Sequence, residues 1–305
     1  MSALAQRLFG TAFQNPILLA AGTCGYGREV AGVIDLDALG GLVTKGTTLE
    51  ERGGNPAPRV AEFADGMLNS IGLANPGAAR CRAEKLPWLA ENLARARVLV
   101  NVAGLGVDEF ARVIEILDDA AGFVGYELNV SCPNVKMGGG LIGASRESLA
   151  EVVRACRRAT ARPLIVKMPP NVPDIGELAR VAEAEGADGL TLVNTQPGLL
   201  YDIATRRPVL GAGPGGTSGP AILPVGVHAV RVARRSVALP LIGVGGIRTA
   251  DDALQYVLAG ASLVQLGTAG FADPRSAERV LSGLDARVRE SPGSFTDLIG
   301  SGEDA

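Results

Sequence analysis

A few residues of this 305-residue chain have the types and spacing to do chemistry. Of its 29 basic residues only four are lysines, Lys45, Lys85, Lys136 and Lys167, and Lys45 and Lys167 lie in or at the end of apolar, β-rich runs. A chain that otherwise prefers arginine keeps lysine where a compact ammonium serves better than a planar fork. A lysine there has a plain structural use, snorkelling outward, but two of four at such positions weighs toward an anionic substrate or a reduced, anionic cofactor ring. Cys132 lies in the string ELNVSCPN, Glu127 to Asn134, ahead of Gly138-Gly139-Gly140. A thiol with a pKa of about 8.5 is mostly protonated at neutral pH, yet it serves as a general base in a dry, amide-lined site. Cys24 is a weaker rival, with no polar partners around it in sequence, and Cys81 and Cys156 read as buried filler.

Asparagines gather in the same places: Asn69, Asn101, Asn129, Asn134, and Asn194 followed by Thr195. An amide offers donors and an acceptor, which suits a flat heterocycle with alternating C=O and N–H groups. Turn chemistry accounts for Asn15, Asn55 and Asn171, but poorly for Asn101 and Asn129, which lie inside apolar runs. Gly245-Gly246-Ile247 and Gly267-Thr268 each end an apolar run ahead of a helical pattern, where backbone N–H groups can approach a phosphate. Gly215-Gly216-Thr217-Ser218-Gly219 adds further donors or is a flexible crossover. A phosphate pocket, two ammonium groups, an amide-lined cavity and one thiol together suit a flavin mononucleotide (FMN) enzyme acting on a planar polar ring.

Composition removes other chemistries. A single histidine, His228, argues against a Ser-His-Asp triad and forbids a site of several histidine ligands. The four cysteines lack Cys-x-x-Cys spacing, so neither a zinc knot nor an iron–sulfur ligand set is expected. No Gly-x-Gly-x-x-Gly directly follows an expected strand, so no Rossmann-type nucleotide site is expected. A net charge of −3 with 20% charged residues argues against a nucleic-acid partner. Apolar stretches such as Ala238 to Ile247 are too short to span a bilayer, and no basic segment leads into an apolar run at the N-terminus, so no membrane association and a cytoplasmic location are expected.

The elements that position these residues follow from periodicity. Apolar runs predict strands at Ile17 to Ala21, Gly41 to Gly46, Val98 to Ala103, Gly125 to Val130, Pro163 to Met168, Gly189 to Asn194, Leu241 to Val244 and Leu263 to Gly267. Helical patterns cover Val107 to Ala121, Arg146 to Ala159, Pro173 to Glu185, Leu223 to Arg235, Ala250 to Ala259 and Asp273 to Arg289. Runs that are apolar throughout indicate a parallel sheet covered on both faces, and eight βα units indicate an α/β fold, a (β/α)8 TIM barrel, over an open doubly wound sheet. The chain is expected to form a single FMN-binding domain over residues 1–305. Its insertions, Thr47 to Arg80 and Gln196 to Pro220, would cover the C-terminal face, where barrel active sites lie. The glycine turns then follow strands seven and eight, the usual phosphate location, and the acidic tail from Ser291 to Ala305 is expected to be peripheral.

The strings NPILLAAGT, VTKGTTLEERGGNPAPR, GMLNSIGLANPG, ELNVSCPNV, GGTSGPA, IGVGGI and LGTA, in this order, resemble the catalytic subunits of class 1B dihydroorotate dehydrogenases, from about Pro16 to Pro274. A cysteine base is similar to class 1 rather than the membrane-bound, serine-using class 2. Asn194 to Leu210, with Arg207-Pro208-Val209-Leu210, resembles class 1B more than the fumarate-using class 1A. The resemblance implies oxidation of (S)-dihydroorotate to orotate, with Cys132 removing the C5 proton and hydride passing from C6 to flavin. It implies substrate contacts at Lys45, Asn69, Ser70, Ile71, Gly72, Leu73, Asn129, Asn134, Asn194 and Thr195. It implies FMN contacts at Ala21, Gly22, Thr23, Lys45, Gly46, Asn101, Asn129, Lys167, Val193, Gly219, Gly245, Gly246, Gly267 and Thr268, with Lys167 favouring the reduced, anionic ring. A partner subunit with FAD and a [2Fe-2S] cluster, joined to a homodimer of this chain as a heterotetramer, would pass electrons to NAD. Cys24, where an apolar residue is expected, and Met137 to Gly140 depart from the family pattern. The rival readings are the class 1A enzyme, another FMN-barrel pyrimidine oxidoreductase or dihydrouridine synthase, and a binding module without turnover.

Overall fold

The computed structural model describes residues 3–131, 136–137 and 140–304. Eight strands close into a parallel barrel: β1 (Ile17–Leu19), β2 (Gly41–Val43), β3 (Arg97–Val102), β4 (Gly125–Asn129), β5 (Leu164–Met168), β6 (Gly189–Leu192), β7 (Leu241–Val244) and β8 (Leu263–Leu266). Each strand pairs with the next in sequence, and β8 pairs with β1. All eight expected strands are present. In β1, β2 and β6 the ladder stops at Leu19, Val43 and Leu192, before the apolar run ends, because the following residues leave the sheet to form the mouth.

Side chains alternate between the two faces of each strand, and here that produces two separate cores. Leu18, Val43, Leu99, Ile165, Ile242 and Leu263 point into the barrel, where they pack with Phe13. Phe13 ends the hairpin Gln6–Leu8 with Thr11–Phe13. Their neighbours Ile17, Leu19, Leu42, Val98, Val100, Leu164 and Val166 belong to the outer core with the helices. Two positions further along, the inward residues become polar: Asn101, Glu127, Lys167, Thr191 and Gln265 are all buried. The barrel is thus an apolar plug below and a polar layer above, directly under the mouth.

The outer layer contains α1 (Leu86–Asn92), α2 (Val107–Leu117), α3 (Arg146–Ala159), α4 (Ile175–Ala184), α5 (Leu223–Ser236), α6 (Ala250–Ala259) and α7 (Ser276–Glu290). The six expected helices are present, α3 and α6 with the expected limits. The six follow β3 to β8; after β1, where no helix is expected, the chain forms the 3-10 turn Leu36–Ala38. Gly22, Gly25 and Gly27 all take positive φ there, a backbone state that interrupts helix and that L side chains resist. α1 was not anticipated. It continues a helical turn at Ala78–Arg80 through a π segment at Cys81–Lys85, a register change that accommodates Pro87, which has no N–H to donate.

The two insertions are not loops. Val60–Phe63 and Gly66–Asn69 from the first pair antiparallel with each other, Gly66–Asn69 pairs with Gly215–Ser218 of the second, and that strand pairs with Gln196–Gly198. One four-stranded sheet therefore stands over the mouth. The tail also departs from expectation: Phe295 is fully buried in the outer core, and Gly300 and Gly302 donate backbone hydrogen bonds to Val257 and Leu258 of α6. The residues around Phe295, Pro292 to Ser294 and Thr296 to Asp297, are exposed as expected, and near the end Asp304 pairs with Arg231 and Arg235.

Candidate active site

The strand ends and the overlying sheet enclose a cleft of about 890 Å³, within the range of sites for ligands of cofactor size. All the described residues expected to hold substrate or cofactor line it: Ala21, Gly22 and Thr23 after β1; Lys45 and Gly46 after β2; Asn69 to Leu73 from the insertion; Asn101, Asn129 and Lys167 on β3, β4 and β5. Val193, Asn194 and Thr195 after β6, Gly219 at the end of the second insertion, Gly245 and Gly246 after β7, and Gly267 and Thr268 after β8 complete it. Cys132 and Asn134 lie outside the described residues, as do Gly138 and Gly139.

The amide group is ordered by its own hydrogen bonds. Asn194 donates through Nδ2 to Ser131 Oγ at 2.7 Å and to Asn129 Oδ1 at 3.3 Å, while its Oδ1 accepts from the Thr195 N–H at 2.8 Å. Asn69 donates to the Gly216 carbonyl at 3.0 Å, which ties one insertion to the other across the mouth. Asn55, read from sequence as a turn residue, supports the site from behind, with Nδ2 donating to Ser70 Oγ at 2.8 Å. Amides already held this way need little rearrangement when a polar ring arrives.

Lys45 and Lys167 are held differently. Burial lowers the pKa of Lys45, with nearby Glu29 opposing that shift and Arg59 adding to it. Lys167 is almost fully buried and stands 3.7 Å from a carboxylate oxygen of Glu127.

At the other end of the cleft, Gly245 and Gly246 have φ of 121° and 76°. A Cβ at Gly246 would come within 2.7 Å of Leu223 Cβ and 2.8 Å of its backbone. A side chain there would push α5 away rather than simply fill the phosphate position. Tyr256 of α6 braces the turn, donating its hydroxyl to the Gly245 carbonyl at 2.7 Å. Thr268 donates to Ser218 Oγ at 2.8 Å and so joins the β8 turn to the sheet above.

Cys24 does not line the cleft. It is buried with Sγ 3.5 Å from the Val43 carbonyl, and desolvation, with Glu29 nearby, pushes its pKa up to about 12. Burial likewise raises Cys81 to about 11 and Cys156 to about 12, values that suit filler and not a base. His228 is on the exposed side of α5. Sequence reasoning missed the wall formed by Val60 to Met67, and also Ser131, Arg248 and Phe271. Ser131, inside the ELNVSCPN string, and Gly66 and Met67, inside GMLNSIGLANPG, carried a signal; Arg248 and Phe271 carried none.

A parallel barrel with lysines, fixed amides and glycine turns converging at its C-terminal mouth defines a barrel enzyme for a polar, anionic ligand. Residues 3–288 match the family model described as dihydroorotate dehydrogenase. A Solibacter usitatus protein provisionally named dihydroorotate dehydrogenase A (fumarate) is 50% identical over 299 residues, 98% of each chain. Proteins of Pelobacter propionicus and Cutibacterium acnes, each named dihydroorotate dehydrogenase B (NAD(+)), catalytic subunit, are 45% identical, over 96% of both chains in the first case and 98% and 97% in the second. The structure of dihydroorotate dehydrogenase from Eimeria tenella in complex with ferulenol has a TM-score of 0.82 over 98% of this chain and 88% of that one, at 23% identity, a likeness of fold. The chain belongs to the dihydroorotate dehydrogenase family. It is a flavin-dependent oxidoreductase of pyrimidine synthesis.

Proposed function

We propose that this chain oxidises (S)-dihydroorotate to orotate with FMN bound at the barrel mouth. The observation that carries the reading is the convergence on one cleft of Lys45, Lys167 and the Asn69, Asn129 and Asn194 amides with the glycine turns after β7 and β8. The cleft also suits the flavin ring: Asn101 Oδ1 is buried there without a hydrogen-bond partner in the protein, an acceptor matched to a ring N–H. Ala21 to Thr23, Lys45, Gly46, Asn101, Asn129, Lys167 and Val193 would hold the ring, and Gly219, Gly245, Gly246, Gly267 and Thr268 the phosphate end. Bound FMN supplies a two-electron acceptor for the hydride of substrate C6.

The rest is work for the chain's own residues. Cys132, three residues past the end of β4 in sequence, removes the C5 proton, which the adjacent C4 carbonyl acidifies. Lys45 meets the substrate carboxylate, and Asn69, Asn129, Asn134, Asn194 and Thr195 hold the ring amides, with Ser70 to Leu73 lining the pocket. The four-stranded sheet excludes water, which strengthens each of these contacts. The purified protein is expected to be yellow with one FMN per chain, and dihydroorotate is expected to bleach it in a stopped-flow experiment. A colourless protein that takes up no FMN overturns the reading.

Electrons then leave for NAD through a partner subunit with FAD and a [2Fe-2S] cluster, this chain forming the dimer of a heterotetramer. The names of the Pelobacter and Cutibacterium relatives, each an NAD(+) enzyme and a catalytic subunit, support NAD as acceptor and a further subunit. The Solibacter relative favours a second reading, fumarate as acceptor. A steady-state assay of the pure chain separates them: negligible NADH formation until the partner is added supports the first, and rapid turnover with fumarate supports the second.

A further inference from the structure

The polar layer inside the barrel contains a carboxylate that this reaction does not use. Glu127, on β4, is completely buried and does not reach the cleft wall. Its Oε1 accepts a hydrogen bond from Asn101 Nδ2 at 2.8 Å, and its Oε2 accepts from Thr191 Oγ1 and Gln265 Nε2, both at 2.9 Å. Lys167 Nζ stands 3.7 Å from Oε1. A buried carboxylate is tolerated when it is paired and fully hydrogen-bonded. Four strands supply these partners, an arrangement more elaborate than filling the barrel requires, since the layer beneath does so with apolar side chains alone.

Two of the partners, Asn101 and Lys167, line the cleft. A side-chain amide has one donor end and one acceptor end. With its donor end committed to Glu127, Asn101 presents only Oδ1 to a ligand, and that oxygen is buried and without a partner. Lys167 in turn faces the cleft with a negative charge behind it, so a ligand there feels an ion pair and not a bare cation. We propose that Glu127 is a positioning residue that fixes the polarity of Asn101 and offsets the charge of Lys167, and so sets both the affinity and the reduction potential of the bound flavin. This rests on the FMN reading above.

The test compares the wild type with Glu127→Gln by FMN titration and by equilibration of the bound flavin with a reference dye. A carboxamide releases Asn101 and leaves Lys167 uncompensated. Oxidised FMN is therefore expected to bind at least tenfold more weakly. The balance between reduced and oxidised flavin is expected to move at least tenfold toward the anionic reduced form, a rise of about 30 mV for a two-electron couple. Adding Glu127→Gln to Lys167→Gln is expected to move the potential far less, because the charge acts through Lys167. If Glu127→Gln does not fold, Thr191→Val removes one hydrogen bond and no charge, and weakens FMN binding several-fold. A folded Glu127→Gln, or in its place Thr191→Val, that binds FMN like the wild type overturns the role of Glu127, as does an equal shift of potential in both Lys167 backgrounds. A wild type that binds no FMN overturns this inference together with the cofactor reading.

Discussion

On β3, β5 and β8 the lower and upper halves of the barrel interior lie two residues apart, at Leu99 and Asn101, Ile165 and Lys167, and Leu263 and Gln265, and have opposite chemistry. Below, Leu18, Val43, Leu99, Ile165, Ile242 and Leu263 pack with Phe13 and exclude water. Above, Asn101, Glu127, Lys167, Thr191 and Gln265 occupy the equivalent inward positions, and two of their amide oxygens, Asn101 Oδ1 and Gln265 Oε1, are left without protein partners. The contrast teaches where the molecule places stability and where function. The plug gains free energy simply by being dry. The layer above gives up part of that gain to hold polar groups in fixed orientations next to a cleft. A barrel can do this because successive inward side chains lie in layers, and only the top layer meets ligand.

The sharpest way to test this division is to substitute on each side and read stability and chemistry separately. The largest effect expected is on chemistry. Cys132→Ala should slow flavin reduction by dihydroorotate by about 10²–10⁴-fold, the usual contribution of a general base, while keeping its flavin and its melting temperature. Cys132→Ser should recover activity only at raised pH, since a hydroxyl is less acidic than a thiol. A Cys132→Ala variant as fast as the wild type would overturn the proposal that Cys132 is the base.

Next comes the plug. Leu99→Ala deletes a fully buried side chain and should cost about 2–5 kcal/mol in urea unfolding. The flavin potential of the folded fraction should be unchanged. A shifted potential would show that the two halves are not independent.

A smaller effect concerns Lys45, whose pKa burial lowers. The unfolded chain then binds that proton more tightly than the folded one, so stability rises with pH between the lowered value and the ordinary lysine value of about 10.4. If Lys45 meets the orotate carboxylate as proposed, orotate affinity should fall as pH rises above the lowered Lys45 value, approaching about tenfold per pH unit for one proton. Orotate titrations across pH check this, and Lys45→Arg should lack the inflection. The smallest effect expected is that of Cys24→Ala, about 1 kcal/mol in stability and less than about twofold in flavin reduction rate. A loss equal to that of Cys132→Ala would reverse the assignment of the two thiols.

Read from the chain alone, the eight strands were legible because each is a short apolar run, and periodicity is a local property. The site was legible for a related reason: lysine and asparagine stand out inside such runs, and in a parallel barrel every strand's C-terminal end faces the same mouth. So Lys45, Asn101, Asn129, Lys167 and Asn194 line one cleft although they come from five strands. α1 was missed because Pro87 and the π segment interrupt its pattern.

Long-range pairing was beyond the reach of sequence. Nothing local in Gly66–Asn69 says that it pairs with Gly215–Ser218, a partner that reaches it only through the closed barrel. The same holds for the partners of Glu127, which lie 26, 64 and 138 residues away at Asn101, Thr191 and Gln265. It holds for Phe295, whose burial depends on a groove that the helices make together. The order of apolar and polar residues along the chain determined the barrel and the end of it that binds. Which donor faces which acceptor inside it was decided by tertiary structure, because a hydrogen bond depends on distances of a few ångströms between residues that the sequence keeps far apart.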